Sequence, residues 1–427
     1  MPPIQDHPLR YPLANELHAR PVPATSVPCT AVYIAIKQPD DAAHRDRARD
    51  MEHLVDLLDR FGAPHPQPGA THYSGKIGRH MLKWEQHTEF VTYTAFVDGV
   101  SDRPFNPADF EVFPEDWLAR APGQRITSIM LRVLERPLDE QISTLIGDWF
   151  VPESVAVAHV LDHAAVVAGD FRIDAAGHQR FAGFVSPDVG RRRVGRVVQR
   201  LCEIETYKSM SMLGFSRARK LSAMLGGLDG RLTALMGDMS EGRVPADQTL
   251  ASLLSISAEL ETLAAQSSFR FGATGAYDAI VNQRIAVLRE TRFLGRQTFG
   301  EFMMRRFEPA LRTVKSTERR LETMADRAIR AGDLLRTRVD VERSAQNQKL
   351  LESMDSRADM QLRLQHTVEG LSVVAISYYA VSLVGYLLYP LTAVTGLSKG
   401  NILALSTLPV VALVWYFVRR IRARINK

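Results

Sequence analysis

The chain has 427 residues, 45% hydrophobic and 24% charged, which argues against wholesale disorder and leaves room for two or three domains. Its net charge of +5 comes from the tail. Arg419, Arg420, Arg422, Arg424 and Lys427 fall in the last nine residues, and residues 1–418 balance 48 basic against 48 acidic side chains. A general nucleic-acid-binding surface is not implied, and no nucleic acid partner is expected. Only two cysteines occur, Cys29 and Cys202, neither in a metal-ligand or redox spacing, which fits a reducing compartment. The opening residues MPPIQD contain no apolar run, so no secretory signal is expected.

In chain order, the first feature is Glu16, His18 and Arg20, titrating and hydrogen-bonding groups close to the start of the first domain. They read either as a tethered arm packed on a sheet or as ligand contacts. Residues 30–36 form a continuous apolar run, the pattern of a buried strand. A helical pattern covers 41–61. Residues 77–85 and 88–97 read as two strands joined by a tight turn at Gln86 and His87. Strands follow at 126–134 and 155–161 around a helical pattern at 138–146. Residues 171–173 and 179–181 suggest a terminal hairpin. Residues 1–188 are thus expected to form an α+β cytoplasmic domain.

From 189 to 368 the pattern is almost wholly helical, with expected breaks at 226–230 (GGLDG) and near 272–275 (GATG). Glu308-Pro309 marks a helix start, with proline at the first helical position. Val314, Leu321, Ala328 and Leu335 recur every seven residues, and a second apolar set follows at Leu351, Met354, Ala358, Leu362 and Val368. Two readings are open: a helix packed on its own domain, or a stalk that self-associates above a membrane. No charged side chain occurs from Gly370 to Ser398. Residues 371–391 and 402–418, runs of 21 and 17 residues, read as two transmembrane helices. Trp415 with Arg419 and Arg420 marks the membrane interface, and Tyr378 and Tyr379 fall near mid-depth. At least one of those hydroxyls is expected to face the other helix or another subunit. Five cations in the tail against Lys399 in the connector place both termini in the cytoplasm by the positive-inside rule. The fold expected is an α+β cytoplasmic domain (1–188), a long-helix bundle (189–368), a two-helix transmembrane hairpin (369–418) and a basic tail (419–427).

His159 and His163 are spaced like a zinc pair but lack the glutamate that metalloprotease chemistry needs after the first histidine. No G-x-S-x-G elbow occurs, and nothing forms a catalytic constellation, so no enzyme activity, metal or cofactor is expected.

Two segments carry a family resemblance. His7-Pro8-Leu9-Arg10 with Asn15 to Pro21 (NELHARP), and the juxtamembrane run from Gln361 through Glu369 to Tyr378 and Tyr379, resemble the motifs of a bacterial membrane-anchored family, domain of unknown function 3422. The resemblance implies an inner-membrane anchor and brings no activity. It also marks Glu16, His18, Arg20, Glu369, Tyr378 and Tyr379 as candidate functional residues. The architecture is similar to that of CorA-type magnesium channels as well, but their Gly-Met-Asn filter falls on Lys399-Gly400-Asn401 and keeps only the asparagine. The expected function is a membrane-anchored protein whose body binds a protein partner or senses a ligand at the inner membrane. A homo-oligomer would form through the stalk and the spans. A CorA-like oligomeric channel or transporter and a membrane-tethered enzyme are the alternatives.

Overall fold

The computed structural model describes residues 4–16, 22–39, 45–241, 244–391 and 398–425. The chain divides into two compact units, one of residues 1–243 and 251–331, the other of 244–250 and 332–427.

The first unit is built on a mixed nine-stranded sheet in the order β2-β3-β4-β1-β5-β8-β7-β6-β9. The interior strand β1 (Cys29–Lys37) is antiparallel to β4 (Phe90–Asp98) and to β5 (Gln124–Glu135). Its side chains alternate between two cores. Cys29, Ala31, Tyr33 and Ala35 enter one, and Val32, Ile34 and Ile36 enter the other. Burial on both faces explains why this antiparallel strand reads as a continuous apolar run. On the side of β4, β3 (His80–Gln86) and the edge strand β2 (His72–Ile77) complete the sheet. On the other side β8 (Gln179–Val185) pairs parallel with β5, then β7 (Ala165–Ile173), β6 (Ala156–Val160) and β9 (Thr291–Arg292) follow antiparallel. The sequence pattern omits β2 because its residues, HYSGKI, mostly alternate between half-buried and exposed and offer no apolar face.

One sheet face is covered by α2 (Arg47–Arg60), α3 (Glu115–Ala119) and α4 (Asp139–Trp149), through Leu54, Leu57, Leu58, Trp117, Ile142 and Ile146. Asp46 starts α2 by accepting a hydrogen bond from Ala48 N at 2.9 Å. The other face carries α5 (Arg191–Glu241), α6 (Ala246–Leu288), α7 (Phe299–Arg306) and the start of α8 (Glu308–Leu387). A short α1 (Arg10–Glu16) precedes the sheet.

The expected helix breaks are not there. α5 runs through 226–230 and α6 through 272–275. In α5, Leu221, Leu225, Leu228 and Leu232 keep their helical spacing across the glycines and are all buried. Asp229, within the glycine cluster, accepts from Arg327 at 3.0 Å and from Arg320 at 3.3 Å. Glycine in a helix costs about 1 kcal/mol, which one buried leucine at about 2 kcal/mol outweighs. In α6, Phe271, Thr274 and Val281 do the same. Among the described residues the interruptions fall between α5 and α6, at 289–298, where Arg289 and Leu294 hold positive φ, and at Phe307 between α7 and α8.

The seven-residue series at Val314, Leu321 and Ala328 is buried, matched by Ile204, Ser211, Ala218, Leu225 and Leu232 on α5. Within this unit, Lys315 lies 3.5 Å from Asp278 of α6, and Arg217 of α5 donates to Ser267 of α6 at 3.1 Å. A Cβ on Gly214 would lie 2.0 Å from Thr274 Oγ1, so glycine permits the close α5–α6 approach.

The second unit contains the rest of α8, a short 3-10 turn (Tyr389–Leu391) and α9 (Lys399–Ile425). Residues 340–368 of α8 are exposed without exception. Beyond them, α8 and α9 are each long and apolar enough to cross a membrane. The two touch where Gly385 faces Leu403, with a Cβ there only 2.9 Å from Leu403 Cδ1. Among the described residues of the two apolar stretches, Ser377, Val381 and Gly385 on α8 and Val414 on α9 are the buried positions. Small residues let membrane helices approach in this way.

Candidate functional site

The polar centre of the body lies between the sheet and α5. Strand register sets Lys83 opposite Thr94 and Thr94 opposite Tyr33, one row across β3, β4 and β1. Leu82 and Trp84 point to the other core, so the period of two aims Lys83 and Glu85 inward beneath α5. Lys83 Nζ is 3.0 Å from Glu85 Oε2, yet it makes no directed hydrogen bond, and Gln199 Oε1 makes none either. From α5, Gln199 Nε2 donates to Glu203 Oε1 at 2.7 Å, and Arg284 of α6 pairs with the same carboxylate. Thr206 Oγ1 donates to Cys202 O at 2.8 Å and lies 2.7 Å from Tyr33 OH. With its one proton committed, Thr206 accepts and Tyr33 donates. The space left among these groups is about 20 Å³, which admits a water.

Burial governs the titration of this region. It raises the Tyr33 phenol well above its ordinary range and pushes the Cys202 thiol up. Burial, then the Asp98 charge, pushes Cys29 up to about 12. Neither thiol is poised as a nucleophile. Nearby, Glu89 accepts from Tyr277 OH at 2.8 Å and pairs with Arg270, tying the β3–β4 turn to α6. Gly195 lets the segment before β1 cross α5, since a Cβ there would lie 2.1 Å from Pro23 O.

The residues singled out from the sequence fall into three groups. Glu16 ends α1, and its side chain, with His18 and Arg20, lies outside the described residues. Glu369, Trp415 and Arg419 converge. They line one groove of about 690 Å³ between α8 and α9, together with Gln365, His366 and Val373. Gln365 Nε2 donates to Glu369 Oε1 at 3.3 Å, and His366 Nδ1 is 3.7 Å from Glu369 Oε2. The Arg419 guanidinium sits 5.0 Å from the centre of the Trp415 ring. Arg420 is exposed beside it.

Tyr378 and Tyr379 are 70% and 68% exposed, turned away from α9. Neither tyrosine therefore packs against α9. One residue of helix rotates the chain by about 100°, so Ser377 takes the inner face and the tyrosines the outer one. His159 and His163 do come together, with ring centroids 4.4 Å apart. No group of three metal-ligating side chains occurs among the described residues, so they make a pair and no more. Lys83 and Glu85 escaped the sequence reading. Their signal was two charges alternating with Leu82 and Trp84 in a strand otherwise destined for burial.

Fold and site together define a class: a mixed-sheet body joined through long helices to two helices apolar enough to span a membrane. The match to a known family extends over residues 5–425, almost the whole chain. The chain belongs to the family described as protein of unknown function, DUF3422. No curated protein matches it.

Proposed function

We propose that this protein is a self-assembling, membrane-anchored scaffold of the bacterial inner membrane. The two apolar helices cross the bilayer as a hairpin, and the body and both termini lie in the cytoplasm. α5, α6 and the first part of α8 form a helical bundle against the sheet, and the rest of α8 is the stalk. The observation that carries this reading is the stalk itself. Leu350, Leu351, Met354, Met360, Leu362, Leu364 and Val368 are each 54–66% exposed. At about 100° per residue, Met354, Gln361 and Val368 centre a wide apolar face. Glu352, Asp359, Arg363 and His366 take the opposite side. Covering a side chain of this size contributes about 1.5–3 kcal/mol, so a second copy laid along the face supplies ample driving force. Tyr378 and Tyr379 continue the outer surface into the bilayer, where a neighbouring copy gives their hydroxyls partners.

The body engages a protein partner in preference to a metabolite, because the space beneath α5 has room for little beyond a water. No observation favours the channel or the enzyme. Lys399, where the channel filter would begin, lies 5.9 Å and 5.7 Å from the ring centres of Tyr386 and Tyr389.

Disulfide trapping in native membranes tests the reading. With Met354→Cys the full-length protein should cross-link to a second copy on mild oxidation, while Glu352→Cys on the polar side should not. The membrane fraction should keep the protein after alkaline extraction. Release by alkali overturns the anchor; equal cross-linking at both positions overturns the apolar interface.

A further inference from the structure

The groove between the end of the stalk and the end of α9 brings together groups of opposite charge at one level. Glu369 precedes the first uncharged run, and Arg419 follows the second apolar run directly. If both helices span the bilayer, as proposed above, this level is the headgroup layer. Val373 lies one helical turn beyond Glu369, and Val418 directly precedes Arg419, both toward the hydrocarbon. Trp415 sits where indole rings favour the interface, and its face holds the Arg419 guanidinium.

We propose that this groove is a binding site for a zwitterionic aminophospholipid, the phosphatidylethanolamine type. Arg419 takes the phosphate, for which a guanidinium fork is suited. Glu369 takes the primary ammonium, which offers three N–H donors to a carboxylate. His366 and Gln365 stand beside Glu369 and hold its side chain. Val373 and Val418 meet the glycerol end of the acyl chains. The volume, about 690 Å³, is of the size that holds a headgroup with part of its chains. An anionic glycerol headgroup would satisfy Arg419 and leave Glu369 facing a negative charge. A choline headgroup has no N–H to give that carboxylate.

The charge pattern thus selects for the amine. It gives the anchor a preference among lipids that a plain apolar hairpin with a basic tail lacks. A basic tail alone would favour anionic lipids.

The test is native mass spectrometry of the full-length protein released from nanodiscs of matched acyl chains. The headgroups are phosphatidylethanolamine, phosphatidylglycerol and phosphatidylcholine. Wild type should retain the ethanolamine lipid preferentially. Glu369→Gln should lower that preference about tenfold, the size of one charge-assisted hydrogen bond, while retention of the glycerol lipid holds or rises. Arg419→Gln should lower retention of all three. Equal retention of ethanolamine and choline lipids by wild type overturns the proposal, as does an unchanged preference in Glu369→Gln. The wild-type comparison of headgroups needs no variant to fold. Failure of the underlying anchor would look different: the protein would not enter nanodiscs at all.

Discussion

Alanine at glycine positions of α5 should have opposite effects at its two ends. At Gly226, Gly227 and Gly230 an added Cβ meets nothing within 4 Å. Each Gly→Ala change there should add the full helix-propensity gain, about 0.8–1 kcal/mol, and the three together about 2.5–3 kcal/mol. At Gly195 the same substitution places a Cβ 2.1 Å from Pro23 O and 3.1 Å from Val22 Cγ1. The obstacle is backbone, so the crossing segment must lift. Lifting it costs about 1–3 kcal/mol of overpacking and about 1 kcal/mol for the hydrogen bond from Thr25 N to Arg191 O, 3.2 Å long. The propensity gain of about 1 kcal/mol does not offset this, and a net loss of about 2 kcal/mol is expected. Thermal unfolding of the full-length protein in detergent, followed by circular dichroism, reads both effects as shifts of about 2 °C per kcal/mol in opposite directions. A stabilised Gly195→Ala variant would refute the close crossing. A destabilised triple variant would refute the continuous helix through 226–230.

Lys83→Met should cost about 2 kcal/mol by removing the lysine beside the half-buried Glu85 carboxylate, while Lys83→Met with Glu85→Met should return to within about 1 kcal/mol of wild type. Additive losses in urea unfolding would show that the two groups do not act as a pair. Burial lowers the pKa of His53, His80, His159 and His178 in the folded state. The unfolded chain takes up their protons near pH 6.5, so this stability is full above that pH and is lost as pH falls through the depressed values. Burial raises Glu290 and Glu318, which act in the opposite sense, two groups against four. The urea midpoint should therefore fall between pH 7.5 and pH 5.5, and a flat or rising midpoint would contradict the buried neutral histidines. Liposomes holding the purified protein should show no magnesium uptake, because Lys399 repels a divalent cation and rings of carboxylates or carbonyls suit cation pores. Uptake abolished by Asn401→Ala would restore the channel reading.

Features encoded in a continuous stretch were legible in the sequence. The two apolar runs and the strands at 30–36, 126–134 and 155–161 depend on composition and period alone, and the folded chain has them. The series Val314, Leu321 and Ala328 was legible too, but its partner was not. Periodicity says that a face is covered, and only packing says whether a neighbour in the same chain or another copy covers it. Tertiary structure settled that for 314–328, where the residues are buried within the chain, and left 340–368 exposed. It also carried α5 and α6 through their glycines, because buried leucines and an Asp229 pair with two arginines outweigh a local propensity that no sequence window can set against distant contacts. Lys83, buried, and Glu85, half-buried, became a pair through strand register. Glu369 and Arg419, fifty residues apart in the chain, became one groove because α8 and α9 close on small residues such as Gly385. Each of these depends on which surfaces meet, and that is decided by the packing of the whole chain.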